Sequence, residues 1–228
     1  LPSWKDLVEY ARWCPSVHNL QPHKVKIISE TEAELYYDPA RLLPVADPNA
    51  VFVTIAMGIF VEHLSIVAGS TGAKVIITEV AGPIATHATV PTLFAKLKLI
   101  PAPEKENLDK ELIIKRRTSR LHYDGKKLRT DTLDKVAKQA EQFEHKFFST
   151  TDKEKVDFII DLNQQTLFED IGSKPDRDEL NQLFRYTKED AETQKDGLWA
   201  KCMGFSGSVM KSVFTHHEKR EKGLRKKM

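Results

Sequence analysis

The chain has little cysteine: two residues in 228, Cys14 and Cys202, with no metal-binding or redox spacing between them. Two unpatterned thiols point to a reducing compartment, so a cytoplasmic location is expected. Other signatures are missing too. There is no GxGxxG and no GxxxxGK[ST], which disfavours a dinucleotide fold and a P-loop. There is no HExxH and no CxxC, so a catalytic metal has little support and none is expected. Charge of one sign is missing as well. The 35 basic and 33 acidic residues leave a net +2, too little to imply a nucleic-acid or membrane partner. Leu1–Tyr10 is charged and has no apolar centre, so it does not read as a secretory leader. The first residue is Leu rather than Met, which suggests a trimmed or processed start with residues upstream.

What is present fits an ordinary globular chain of one large domain or two small ones, with 40% apolar and 30% charged residues. One long apolar run stands out, VFVTIAMGIFVEHLSIVAG at 51–69. Its length would span a bilayer, but Glu62 and His63 interrupt it and no aromatic belt flanks it. Asp47-Pro48 reads as an N-cap with Pro at N1, and Gly72 as a residue past the C-terminal end. A helix apolar on all sides needs partners on all sides. A long helix buried on most sides is therefore expected, at a domain centre or a subunit interface.

The rest of the chain mixes element types. Helical spacing marks 3–13, with Ser3 as N-cap, and alternation marks a strand at 23–29 and its return at 34–37. A third strand is predicted at 74–80. Residues 92–100 fit either a strand or a helix, and 82–91 and 101–106 read as irregular. Helices are predicted at 108–115, 131–143 (N-cap Thr130 or Asp131), 152–168 and 176–186, with a short strand at 146–150. The signal weakens beyond Gly197, and 216–228 reads as a basic, frayed end. Strands and helices without regular βαβ alternation predict an α+β class.

Two polar motifs carry the chemistry. Arg116-Arg117-Thr118-Ser119-Arg120 puts three guanidinium forks and two hydroxyls in five residues, a set suited to phosphate oxygens. The competing reading is a solvated basic turn, or a nucleic-acid patch with Lys115, Lys126, Lys127 and Arg129. Tyr123 alone lies nearby for stacking, which argues against nucleic acid. Pro15-Ser16-Val17-His18-Asn19-Leu20-Gln21-Pro22 is a loop stiffened by two prolines, with directional donors and acceptors for the edge of a heterocycle. It also reads as a helix-ending loop with self-satisfied turns. His18 is either a loop histidine or a ligand contact, and His63 a satisfied core or interface residue. His216-His217-Glu218 reads as a solvated tail, and Asp6/Glu9 and Asp176/Asp178/Glu179 as exposed helix faces.

Together the two motifs resemble the FMN-binding signatures of the nitroreductase superfamily, RRSxR and PSxxNxQPW, here RRTSRLHYDGKKL and PSVHNLQPH. Tyr123-Asp124 and Leu128 also match that pattern. The resemblance spans about two thirds of the chain. Two departures stand out. His23 stands where the family has Trp, and the Asn loop precedes the Arg motif instead of following it, with no second Asn loop at 142–149 (QFEHKFFS). The order is similar to the tandem branch of two fused halves, some of whose members are thought to store flavin behind a lid. Asp47-Pro48, Glu179-Leu180, Arg185-Tyr186 and Asp196-Gly197 also look like that branch.

The resemblance implies a nitroreductase-like, pseudo-dimeric tandem repeat: a mixed or antiparallel sheet flanked by helices, with 1–100 a partial first repeat and 108–228 a partial second. It implies that Arg116 and Arg117 meet an FMN phosphate and Thr118 the phosphate or ribityl oxygens. Arg120 would lie near the pyrimidine edge, and Pro15, Ser16, Val17, Asn19 and Gln21 would hold the ring. The usual C-terminal basic contact has at most Arg225 as a counterpart. The activity implied is NAD(P)H-dependent reduction of a nitroaromatic or quinone-like small-molecule acceptor by bound FMN, which needs no catalytic side chain. The alternative is a flavin-sequestering protein with 174–199 as its lid. A structural or nucleic-acid-interacting module using Lys115–Arg129 and the tail is the third reading. The assembly expected is a monomeric pseudo-dimer or a homodimer.

Overall fold

The structure, a computed structural model, describes residues 1–105, 109–120 and 123–216, apart from the side chains of 167, 168, 170 and 171. Leu108, His217, Glu218 and Arg225 fall outside this description. The class is α+β, with eight α-helices among the described residues and a four-stranded antiparallel sheet. The chain forms two compact units. The first is built from 1–119 and 178–228, the second from 120–177. The division into repeats at 1–100 and 108–228 stays a sequence-level proposal.

In the first unit, helix α1 (Trp4–Ala11) is started by Ser3, whose side chain accepts from the Asp6 N–H. Strands β1 (His23–Ile27) and β2 (Glu32–Tyr37) form a hairpin. Helix α2 (Val51–Gly69) follows, then β3 (Ala73–Val80) and β4 (Thr92–Pro101). The sheet order is β1-β2-β4-β3, so the ambiguous segment 92–100 is a central strand paired on both edges.

One face of the sheet is apolar and the other wet, as the alternation requires. Ala33, Leu35 and Tyr37 of β2, Ala95, Leu97 and Leu99 of β4, and Ala73 and Val75 of β3 enter one core with Trp4 and Leu7 of α1 and Val53, Met57, Phe60 and Leu64 of α2. Each fully buried Leu or Met here stabilises the fold by roughly 1.5–3 kcal/mol relative to exposure. On the wet face, Lys26 meets Glu34 at 3.5 Å and Lys96 meets Glu79 at 2.7 Å. Helix α3 (Glu111–Lys115) returns to this core through Ile113, and the Tyr10 hydroxyl donates to Glu111 Oε1 at 2.8 Å.

The end of the chain adds a smaller apolar cluster to the first unit. Strands β5 (Phe184–Arg185) and β6 (Leu198–Trp199) pair in parallel, with α7 (Lys188–Gln194) between them and α8 (Gly207–Thr215) after. Phe184, Leu198, Ala200 and Phe214 form its centre. The second unit holds α4 (Thr130–Glu141), α5 (Lys153–Gly172) and the start of α6 (Lys174–Leu183). None of its described residues is buried.

Several expectations need correction. The helix at 51–69 is not buried on most sides: Val51, Phe52 and Ile55 are all more than half exposed. Its stripe Val53, Met57, Phe60, Leu64 faces α1 and the sheet, and the opposite stripe is uncovered. Length and composition would let it cross a membrane; here it packs against α1 and β3. It also starts later than Pro48, after Ala50 in a left-handed conformation. Asp47 still caps it, at a distance in sequence: its carboxylate accepts from Val51 N at 2.7 Å and Val53 N at 3.1 Å. No strand forms at 146–150, where Phe147 and Phe148 are exposed and no described strand pairs with them. The residue before α4 is Arg129, without a side-chain cap, rather than Thr130 or Asp131. Helix α8 lies in the segment beyond Gly197 that periodicity left weak.

Candidate functional site

Helix α1 ends at Ala11, and Cys14 is the last buried residue before the loop. From Pro15 to Gln21 the chain is unusually curled. Residues 17–19 make one 3-10 turn, with Asn19 N donating to Ser16 O at 3.0 Å and Leu20 N to Val17 O at 2.9 Å. His18, Asn19 and Gln21 all take positive φ, near 46°, 56° and 53°. Left-handed backbone at a non-glycine residue costs on the order of 1–3 kcal/mol and persists only where surroundings enforce it. Those surroundings are identifiable. Val17 packs on the main core, and Leu20 and Pro22 are buried on either side of Gln21.

The loop's polar groups divide into spent and available. Ser16 Oγ accepts from Gln21 N at 3.0 Å, which closes the loop on itself. Asn19 Oδ1 accepts from Gln21 Nε2 at 3.2 Å. The Asn19 carbonyl accepts from Gly197 N at 3.2 Å, and Gln21 Nε2 reaches Lys195 O at 2.8 Å. What stays available is the Asn19 side-chain NH2, which is exposed and has no partner among the described residues. Pro15, Ser16 and Val17 are half-buried.

The turn that meets this loop is itself clamped. Asp196, nearly buried, takes Arg185 Nε at 2.9 Å and Nη2 at 2.5 Å on one oxygen, and Arg41 on the other. Burial and the neighbouring Arg41 charge both depress the Arg185 pKa. A carboxylate held by two guanidiniums is stabilising only while all three stay together. Nearby, the Glu179 carboxylate accepts from Val45 N at 3.0 Å and Ala46 N at 2.9 Å, just ahead of the Asp47 cap. Glu179, Arg185 and Asp196 thus share a structural role, since each ties one segment to another, while Asp47 caps α2. The cap at Asp47 was legible in the sequence; the ties made by Glu179, Arg185 and Asp196 were not, and Glu179, expected on an exposed helix face, instead accepts from two backbone N–H groups. Sequence reasoning missed Arg41 entirely, because the signal is a contact across 155 positions.

The arginine motif leaves α3 in extended form, and all five of its residues are exposed. Arg116 Nη1 donates to Thr118 Oγ1 at 3.1 Å, and Arg117 Nη1 to the carbonyl oxygens of Arg116, at 2.8 Å, and Ile114. Arg116, Arg117 and Thr118 belong to the first unit, and Arg120 to the second. Because α3 packs on α1 through Ile113 and Glu111, Arg116 lies close enough to Cys14 for its charge to act on the thiol. Thus Arg116 and the start of the Asn loop belong to one neighbourhood of the first unit.

Cys14 and His23 bracket that loop. Cys14 Sγ lies 3.1 Å from His23 Nε2, and the His23 ring packs on Phe60 with centroids 4.4 Å apart. Burial pushes the thiol up to about 12, against the opposing pull of Arg116. Burial likewise pulls the imidazole down to about 4. Near neutral pH the pair is therefore a thiol and a neutral ring, without a thiolate to act as nucleophile. His23 is thus a packed ring at the edge of the core.

Among the described residues no group of three His, Cys, Asp or Glu side chains is placed to hold a metal ion. No protein-family model matches the chain, and no curated protein matches it.

Proposed function

We propose that the chain binds FMN in the first unit and, with NAD(P)H as electron donor, reduces nitroaromatic or quinone-like acceptors. The observation that carries this reading is the packing of α3 on α1, which sets the start of the arginine motif in the same unit as the Pro15–Pro22 loop that follows α1. The residues fit the group. Arg116, Arg117 and Thr118 present exposed donors of the kind a phosphate takes, and Asn19 keeps an NH2 for a ring carbonyl. Arg120 lies in the second unit, and the proposal does not depend on it. The flavin, when bound, supplies hydride chemistry at N5. The protein's own part is to bind the anion and orient the ring. Cys14 and His23, both neutral, hold the loop rather than move protons. In a titration followed by flavin fluorescence, FMN binds saturably and Arg116→Ala weakens binding by roughly 1.5–3 kcal/mol. Equal affinity in both proteins would refute the site.

A second reading is favoured by the turn 195–197. Its bonds to Asn19 and Gln21 are what a lid over a flavin-holding loop would make. On this reading the chain sequesters flavin and shows negligible steady-state NADPH oxidation with a quinone, although FMN binds. The uncovered face of α2 favours an assembly with a second copy of the chain or with another repeat.

A further inference from the structure

Away from that neighbourhood, the smaller apolar cluster of the first unit carries a cleft of about 570 Å³ on its outer side. Tyr186, Trp199 and Phe205 line it together with Lys188 and Lys201, and the chain at 204–207 closes it. Three aromatic residues and two lysines therefore border one space, and no acidic residue lines it among the described residues. We propose that this cleft binds a planar aromatic ligand carrying an anionic group, such as an aromatic carboxylate or a nucleoside monophosphate.

The walls are built rather than incidental. Tyr186 stacks on buried Phe184, centroids 6.0 Å apart and 18° between planes, and its hydroxyl donates to Asn181 Oδ1. Trp199 ends the short parallel pair β5–β6, between Leu198 and Ala200 of the cluster in sequence and paired with Arg185. Gly207 closes the far wall. A Cβ there would fall 1.9 Å from Tyr186 O, so only glycine lets α8 start this close to Tyr186. Gly204 takes φ near 82°, which turns the chain between Trp199 and exposed Phe205. Lys201 already lies over the Trp199 ring at 5.8 Å. That geometry places a cation beside an aromatic face, where a flat ring stacks and its acid group meets the ammonium. Lys188 stands on the same rim, paired loosely with Glu192 at 3.4 Å. An apolar concave surface with a few convergent charges is the usual form of a small-molecule site.

The site is independent of the flavin reading and is tested without flavin. The full chain is titrated with adenosine 5′-monophosphate and with 4-hydroxybenzoate, by calorimetry and by tryptophan fluorescence, with adenosine and 4-hydroxybenzamide as neutral controls. Saturable binding of either anion is expected, roughly tenfold or more tighter than its neutral control. The anion that binds tells a nucleotide from a simple aromatic acid. Lys201→Gln, an exposed change that leaves the fold intact, should weaken binding roughly tenfold, while Lys201→Arg retains it. Trp199→Leu should remove the fluorescence response. Absence of saturable binding by both anions up to about 10 mM would overturn the proposal, as would equal affinity in Lys201→Gln.

Discussion

Gln21 donates its side-chain N–H to the carbonyl of Lys195 at 2.8 Å, across 174 positions of sequence. Two residues on, Gly197 donates its backbone N–H to Asn19 O. These bonds make the Asn loop and the 195–197 turn one structure. Gly197 is the hinge of that structure, with φ near 70° and no room for a Cβ, which would stand 2.2 Å from Leu183 O. Gly197→Ala is expected to destabilise the protein by about 2 kcal/mol or more in urea unfolding. Gln21→Ala should cost less, about 1 kcal/mol. An unchanged midpoint for Gly197→Ala would show that the turn is free to rearrange.

His23 gives the fold a defined pH response. Its folded pKa, about 4, lies below the ordinary 6.5 because burial disfavours the charged ring. The unfolded chain therefore binds the extra proton first as pH falls. The stability contribution is complete above about 6.5 and is lost between about 6.5 and 4, to a total of roughly 3 kcal/mol. Unfolding free energy measured at pH 7 and pH 4.5 should show this slope in wild type, and His23→Phe should lack its share. Identical slopes in the two proteins would contradict the assignment.

Asp47 holds the first turn of α2 from outside the helix, accepting from both Val51 N and Val53 N. Asp47→Ala should cost about 1–2 kcal/mol in thermal or urea unfolding, the size of a lost N-cap. Asp47→Asn, which keeps an acceptor oxygen, should recover part of that loss. An alanine variant as stable as wild type would mean that those N–H groups find water instead.

Much of the first unit was legible in the sequence because its signals are local. Val25 and Ile27 alternate with lysines, and Ser3 precedes a periodic run, so β1 and α1 follow directly. The segment 92–100 was ambiguous because its apolar residues fit both periods. Pairing on both edges decides it, and pairing is not a local property. The burial of 51–69 was misjudged for a related reason. Composition says that a helix lacks a polar face, but not that another surface covers each face. Of the candidate site, the residue types were readable and their occupation was not. The sequence shows that Asn19 and Gln21 have amide groups, and only folding shows that Gln21 is already committed to Lys195.

The uncovered face of α2 leads to an association test. Val51, Phe52 and Ile55 lie on one side of the helix and are exposed together. In sedimentation equilibrium the chain is expected to dimerise through this face, and Ile55→Glu should convert it to a monomer. A wild-type monomer at micromolar concentration would contradict the homodimer.

The central claim is that Arg116 and the Asn19 loop serve one flavin. Its most direct measurement is FMN affinity across wild type, Arg116→Ala, Asn19→Ala and the double variant. The account predicts tight saturable binding in wild type, a loss of roughly tenfold or more in each single variant, and a non-additive double variant, as two contacts to one bound molecule would give. No binding of FMN to the wild-type protein, or single variants that bind as well as wild type, would contradict it.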